Sequence, residues 1–264
     1  MTVGTSPYLS QAIADAIREA SEARLLAQVR ADPVPKHLAI IMDGNRRFAL
    51  AQGMGVAQGH EAGKDKLEQL LDWCLEVGIR ILTVYGLSTE NFQRSSDEVS
   101  ALMDLFARAF RDVTTDPRVH RHHIRVRAIG NRSVLRPDVQ EAIAAAEDAT
   151  KDYRDYFYNV AIAYGGREEI VRAIRTLAQK VAEGSLRPDQ IDAELVASEL
   201  YTADLPDPDL VFRTSGEERI SNFLLWQTAY AELYFSDVYW PSLTRLEFLR
   251  AIRTFQLRSR RFGA

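Results

Sequence analysis

The chain has 264 residues, 46% hydrophobic, 27% charged and 9% aromatic, a soluble globular composition that excludes disorder, collagen-like repeats and low complexity. A formal net charge of −4 argues against a nucleic-acid binder. The single cysteine, Cys74, leaves no intramolecular disulfide or thiolate metal site, which fits a cytoplasmic protein.

Residues 8–30 place Leu9, Ile13, Ala16, Ile17 and Ala20, then Leu25, Leu26 and Val29, at helical spacing among charges. This predicts an amphipathic helix, ended by Pro33 and Pro35. Asp15, Arg18, Glu19, Glu22, Arg24 and Arg30 interrupt any signal-peptide core, and no later stretch reaches the ~18 apolar residues of a spanning helix. His37 to Met42 reads as a short buried strand. A helix from about Glu61 to Glu76 stops near Gly78, and a second apolar run covers Ile79 to Leu87. A helix Ser96 to Val113, a strand Ile124 to Ile129, a helix Pro137 to Thr150, a strand Tyr158 to Ala163 and a helix Arg167 to Glu183 follow. A short helix near Pro188 to Glu199, strands Asp209 to Arg213 and Glu232 to Phe235, and a final helix from Ser242 complete the chain. No linker or repeat divides it, so the pattern predicts one α/β domain with a central, mainly parallel six-stranded sheet covered by helices. Function is expected at the carboxyl ends of the strands. The last helix carries Arg245, Arg250, Arg253, Arg258, Arg260 and Arg261 against Glu247 alone. That basic end suits phosphates, anionic lipid or another subunit, or simply a solvated helix face.

Polar clusters follow three of the strands. After the first comes Asp43-Gly44-Asn45-Arg46-Arg47-Phe48, in which a glycine turn, a helix start and two arginines make a cradle for phosphate oxygens and Asp43 offers a hard carboxylate suited to Mg²⁺. Alone, Asp-Gly-Asn reads rather as a helix cap followed by two surface arginines. After the second comes Ser88-Thr89-Glu90-Asn91-Phe92-Gln93-Arg94, and after a later strand Arg213-Thr214-Ser215-Gly216-Glu217-Glu218-Arg219-Ile220-Ser221-Asn222. Two arginine-hydroxyl cradles suggest two phosphorylated substrates. Neither a Gly-x-Gly-x-x-Gly fingerprint after the first strand nor a P-loop lysine motif is present, which disfavours dinucleotide and nucleoside triphosphate binding.

These segments, with Asn159 to Arg167, Asn222-Phe223-Leu224-Leu225-Trp226-Gln227 and Trp240-Pro241, resemble the cis-prenyltransferase family, the undecaprenyl diphosphate synthases and their relatives, from about Pro35 to Gly263. The resemblance implies residues 1–34 as an N-terminal helical extension and 35–264 as a single catalytic domain. It implies repeated cis-condensation of isopentenyl diphosphate onto a trans allylic diphosphate, with Mg²⁺, usually by a homodimer, giving a long polyprenyl diphosphate of the glycosyl-carrier type. Contact with a membrane would be peripheral, at product release.

By resemblance, Asp43 handles Mg²⁺ and the allylic diphosphate, which Gly44, Asn45, Arg46 and Arg47 hold with Phe48, His60 and Arg94 beside it. Ser88, Thr89, Glu90 and Phe92 match the substrate-contacting loop, and Asn91 the residue proposed to assist removal of the C2 proton. Arg213, Arg219, Ile220 and Ser221 match the isopentenyl diphosphate site, and Glu232 the second metal carboxylate, with a buried carboxylate paired with an arginine as its alternative reading. Val99, Leu102, Met103, Phe106 and Phe110 recur on one helix face. The family reading makes that face a tunnel wall, and the plain reading makes it core. Val56 stands where many bacterial members have an arginine, and Glu217-Glu218-Arg219 lacks a histidine that some place before the arginine. Arg46-Arg47, Glu218 and the N-terminal extension look more like the archaeal-type branch, whose implied primer is geranylgeranyl diphosphate; the family resemblance at large implies geranylgeranyl or farnesyl diphosphate. The competing readings are a short-chain synthase, a catalytically silent subunit of a heteromer, and a nucleotide-binding module.

Overall fold

A computed structural model describes residues 7–259. Its parallel strands are β1 (His37–Ile41), β2 (Ile81–Ser88), β3 (Ile124–Ile129), β4 (Tyr156–Tyr164), β5 (Leu210–Arg213) and β6 (Glu232–Phe235), in the spatial order β3-β4-β2-β1-β5-β6. The helices are α1 (Pro7–Arg30), α2 (Asn45–Ala51), α3 (Val56–Val77), α4 (Ser96–Val113), α5 (Pro117–Arg121), α6 (Pro137–Thr150), α7 (Gly166–Ala182), α8 (Ala193–Ser198) and α9 (Arg245–Ser259). The sheet is therefore wholly parallel. The helix expected from Glu61 begins five residues earlier, at Val56, and the one expected over Pro188 to Glu199 divides into a 3₁₀ turn at Pro188–Gln190 and α8.

Period-two alternation divides β1 between two cores. Leu38 and Ile40 face a large cluster with Leu70, Val84, Phe106, Ile143, Phe212, Trp240 and Phe248. Ala39 and Ile41 face a smaller one with Tyr164, Val211, Phe223 and Leu224. All five β1 residues are buried, as a central parallel strand requires. Gly78 ends α3 in the left-handed region at φ +86°, and the Ser95 hydroxyl caps α4.

The arginines of α9 are largely held in ion pairs. Arg245 meets Glu76 at 2.6 Å and Glu22 at 3.5 Å, Arg253 meets Asp32 at 2.5 Å, and Arg258 meets Glu232 at 3.1 Å. Gln256 donates to the carbonyls of Val29, Asp32 and Pro33, so α9 fastens the end of α1 to the domain. Arg260 and Arg261 lie outside the described residues.

At the amino end of β1, His37 is fully buried. Its Nδ1–H donates to the Pro206 carbonyl at 2.7 Å and its Nε2 accepts from the Thr83 hydroxyl at 2.8 Å. Burial, with help from Arg127, lowers the imidazole to about 4 against the opposing pull of Pro206 and Asp209. A depressed histidine pKa stabilises the fold above the unfolded value near 6.5, and the contribution is lost as pH falls toward about 4. We therefore expect urea midpoints to show a stability loss on the order of 3 kcal/mol across that window from this group. His37→Gln, less stable at neutral pH, should show a flatter decline.

Candidate active site

The chain leaves β1 toward β2 on one side while β5 pairs on the other, so the strand order reverses beside β1. A parallel sheet opens a crevice at such a point, outside the carboxyl ends of its strands. A cavity of about 950 Å³ occupies it, lined by Asp43, Gly44, Asn45, Arg46, Arg47, His60, Ser88, Glu90, Asn91, Arg94, Arg213 and Ser221 among others.

Asp43 is fixed through its backbone and its carboxylate. Its N–H donates to the Thr214 hydroxyl at 3.0 Å, and its carbonyl accepts from that hydroxyl at 2.7 Å and from the Trp240 N–H at 3.0 Å. The carboxylate meets Arg213 at 2.7 Å and Arg47 at 3.2 Å. Burial pushes this carboxyl up, but the two guanidinium groups more than offset it and hold the pKa below the usual range. Arg213 is 4% exposed and also donates to Ser221 Oγ at 2.7 Å and to the Arg219 carbonyl, while its buried Nε has no partner. Arg213 lines the cavity with this one donor unspent, so its guanidinium keeps hydrogen-bonding capacity at the site.

The segment after β5 carries four non-glycine residues in the left-handed region: Ser215, Ser221, Asn222 and Leu224. Such conformations persist only where surrounding contacts hold them. Asn222 supplies several: its Nδ2 donates to Glu90 and Glu168, its Oδ1 accepts from the Arg167 N–H, and its carbonyl accepts from the Gly166 N–H. At the rim, Glu217 pairs with Arg47 at 3.1 Å and Arg219 at 2.5 Å.

On the opposite wall, Ser88 and Asn91 form a capping box at the 3₁₀ turn Thr89–Gln93, with Asn91 Oδ1 accepting from the Ser88 N–H at 3.2 Å. The amide oxygen of Asn91 is thus committed to the turn. His60, Arg46 and Arg94 converge on Glu98, absent from the sequence-derived site. The i, i+4 spacing of Arg94 and Glu98 was its only sequence signal. His60 lies inside α3, where burial lowers its pKa despite the Glu98 carboxylate.

A second cavity, about 100 Å³ and mainly apolar, runs between α3, α4 and the sheet. Met42, Asn45, His60, Gly86 and Leu102 line both cavities, so the two adjoin. Leu102, Phe106 and Phe110 face it as expected, joined by Leu105, Ala109 and Val113. Val99 and Met103 do not line it: Met103 is buried in the main core and Val99 packs against that core, so the lining face of α4 is rotated from the stripe in the sequence.

Not every expected residue lines the anionic cavity. Phe48 and Ile220 do not, Phe92 packs on the main core, and Thr89 faces a neighbouring cavity. The Arg219 side chain turns to Glu217. Val56, at the position singled out as a departure, lines the cavity. Glu232 requires the largest correction: it pairs with Leu210 at the amino end of β6, and its carboxylate binds Arg258. Strand direction places it at the other end of the sheet from Asp43, so one chain does not assemble the expected pair of metal carboxylates. No group of three metal-ligating side chains exists among the described residues. Asp43 alone, with oxygens from a bound diphosphate, still suits Mg²⁺, which is commonly held by one or two carboxylates plus substrate phosphates.

A cationic pocket that adjoins an apolar one calls for substrates with an anionic head and a hydrocarbon tail, and comparison with known proteins agrees: the chain is an enzyme of the prenyltransferase type. It belongs to the family described as "Putative undecaprenyl diphosphate synthase", whose model matches residues 41–263. It is 54% identical over 242 residues to a tritrans,polycis-undecaprenyl-diphosphate synthase (geranylgeranyl-diphosphate specific) of Pyrococcus abyssi, covering 92% of each chain. The namesake of Methanocaldococcus jannaschii is 52% identical over 234 residues, 88% of this chain and 84% of the relative. The fold resembles the crystal structure of lavandulyl diphosphate synthase from Lavandula x intermedia in complex with dimethylallyl diphosphate, with a TM-score of 0.80 and 38% identity over 84% of this chain and 95% of that one. It also resembles a probable undecaprenyl diphosphate synthase from Campylobacter jejuni, with a TM-score of 0.70 and 37% identity over 88% of this chain and 100% of that one.

Gly44 turns from β1 into α2 at φ +107°, where an added Cβ would lie 3.0 Å from Tyr239 Cα and 3.1 Å from Ser215 Cβ. Gly44→Ala should therefore cost about 1–3 kcal/mol in stability. In a thermal melt and a pyrophosphate titration, both midpoint and affinity should fall.

Proposed function

We propose that this enzyme condenses isopentenyl diphosphate repeatedly, in cis geometry, onto geranylgeranyl diphosphate to make a long polyprenyl diphosphate that serves as a glycosyl carrier. The observation that carries this reading is the junction of the two cavities at Asn45 and His60, which offers the diphosphate a cationic seat and the growing chain an apolar one. Support for this primer comes from the archaeal relatives, named as geranylgeranyl-diphosphate specific.

In this reading Arg46, Arg47 and Arg94, with the N–H groups at the start of α2, bind the allylic diphosphate, and Arg213, Arg219 and Ser221 bind isopentenyl diphosphate. As the allylic C–O bond breaks, negative charge gathers on the departing diphosphate, and fixed positive groups stabilise it where it forms. The apolar walls around Leu102 and Phe106 exclude water from the carbocation-like fragment. The double bond of isopentenyl diphosphate attacks as the C–O bond breaks, forming the new C–C bond, and the C2 proton passes to an oxygen of the departing diphosphate. Asp43 and Glu90 are poor bases for it, since both carboxyls lie below the usual range. Asn91 orders the turn beside the reacting carbons. Mg²⁺ held by Asp43 would neutralise diphosphate charge when bound.

Edge strand β6 leaves Leu233 partly exposed, Tyr230 fully exposed and Leu257 of α9 half exposed. This supports a homodimer across that edge. Contact with a bilayer would be transient and peripheral, and among the described residues no helix is long and apolar enough to cross one.

A second reading is favoured by the narrowness of the apolar cavity. About 100 Å³ falls below the ~300–1,000 Å³ of common ligand pockets and suits a short product unless the channel widens. The purified protein, incubated with Mg²⁺, labelled isopentenyl diphosphate and, separately, geranyl, farnesyl or geranylgeranyl diphosphate, should give a ladder of long polyprenols from geranylgeranyl diphosphate. A single short product would establish the second reading, and no incorporation would make the chain a silent subunit. Asp43→Ala should lower turnover at least about 100-fold with the fold retained. Ala109→Phe, which fills the apolar cavity, should shorten the products on reverse-phase chromatography.

A further inference from the structure

Glu98 lies in the first turn of α4 with its side chain 7% exposed. Three groups from three separate elements meet it. Arg94, in the turn before α4, donates to its Oε1 at 2.9 Å; His60 of α3 meets the same oxygen at 3.2 Å; and Arg46 of α2 lies 3.8 Å from Oε2. All three partners line the anionic cavity, whereas Glu98 itself does not. A carboxylate can only accept, so it fixes His60 with the proton on Nε2.

The remaining arginines of the cavity are restrained elsewhere. Arg47 is held by Asp43, Ser215 and Glu217, and Arg213 by Asp43 and Ser221. The cationic lining thus has two separately anchored halves. The half anchored by Glu98 borders the apolar cavity, which His60 also lines. A buried negative charge beside an anion subsite opposes the anion by simple Coulomb repulsion. Its compensating effect is to order two long guanidinium side chains and one imidazole before substrate arrives.

We infer that Glu98 is a positioning residue for the allylic diphosphate: it prearranges Arg46, His60 and Arg94 and leaves the isopentenyl diphosphate half of the cavity untouched. This rests on the assignment of substrates proposed above. Glu98 touches no reacting atom and acts through the three groups it holds.

Calorimetric titration of geranylgeranyl diphosphate alone and isopentenyl diphosphate alone, into the full chain, separates the two halves, because neither ligand reacts without the other. Glu98→Ala should weaken geranylgeranyl diphosphate at least about tenfold, since truncating one partner of a buried charge cluster leaves the others disordered. Isopentenyl diphosphate should bind within about twofold of wild type. Glu98→Gln keeps an oxygen that accepts from Arg94 and His60 and should recover most of the lost affinity. Should Glu98→Ala not fold, Glu98→Asp, one methylene short of its partners, should show the same selective loss at about fivefold or more. Geranylgeranyl diphosphate affinity that is unchanged or stronger, or equal losses for both ligands, would overturn the inference. A wild-type protein that binds isopentenyl diphosphate but none of the allylic diphosphates would overturn the substrate assignment and the inference with it.

Discussion

The ion pair between Asp43 and Arg213 is the interaction on which the site depends. The two residues stand at the carboxyl ends of neighbouring parallel strands, 170 positions apart in sequence, and meet at 2.7 Å. Each is also tied to its neighbour's backbone environment: Thr214 grips the peptide of Asp43, and Arg213 reaches the carbonyl of Arg219 and the hydroxyl of Ser221. Because Arg213 is almost fully buried, losing Asp43 would leave a desolvated cation without its counterion. The pair therefore joins the carboxyl ends of β1 and β5 at the point where the sheet opens, while backbone pairing sets their register. A ligand anion entering there meets a guanidinium already desolvated and aimed.

Carboxylates organise the rest of the cationic surface in the same way. Arg47 lies between Asp43 and Glu217, and Glu98 gathers Arg46, Arg94 and His60. Arginine has several rotatable bonds, and a site made of unpaired arginines would lose much of its binding free energy in ordering them. Holding them beforehand transfers that cost to folding. The same economy explains the left-handed residues after β5, whose conformation is maintained by Asn222 bridging to Glu90, Glu168 and the start of α7.

The sheet and most helices were legible in the sequence because apolar periodicity is a local signal. Ser95 and Gly78 punctuate their helices within a residue or two of expectation, and His37 to Met42 reads as a buried strand because every position after the first is apolar. His60 was legible only through resemblance, since a lone histidine otherwise reads as a helix-start or core residue. Glu98 was missed because an acidic residue in a first helical turn is ordinary and its partners come from α2 and α3. Of the two readings of Glu232, pairing with an arginine is the one seen within the chain, at 3.1 Å from Arg258, because the motif carried no information on which end of β6 meets the cavity.

By itself, then, the amino-acid order determined the alternation of strands and helices, the family, and the three polar segments at strand ends, all of which depend on residues within a few positions of one another. Tertiary structure decided which of those side chains share one cavity. Parallel pairing brought Asp43 to Arg213 and carried Glu232 to the opposite end, and helix packing turned the lining face of α4 away from Val99 and Met103. The physical reason is that charge pairing and cavity shape act through space at a few ångströms, whereas periodicity acts along the chain.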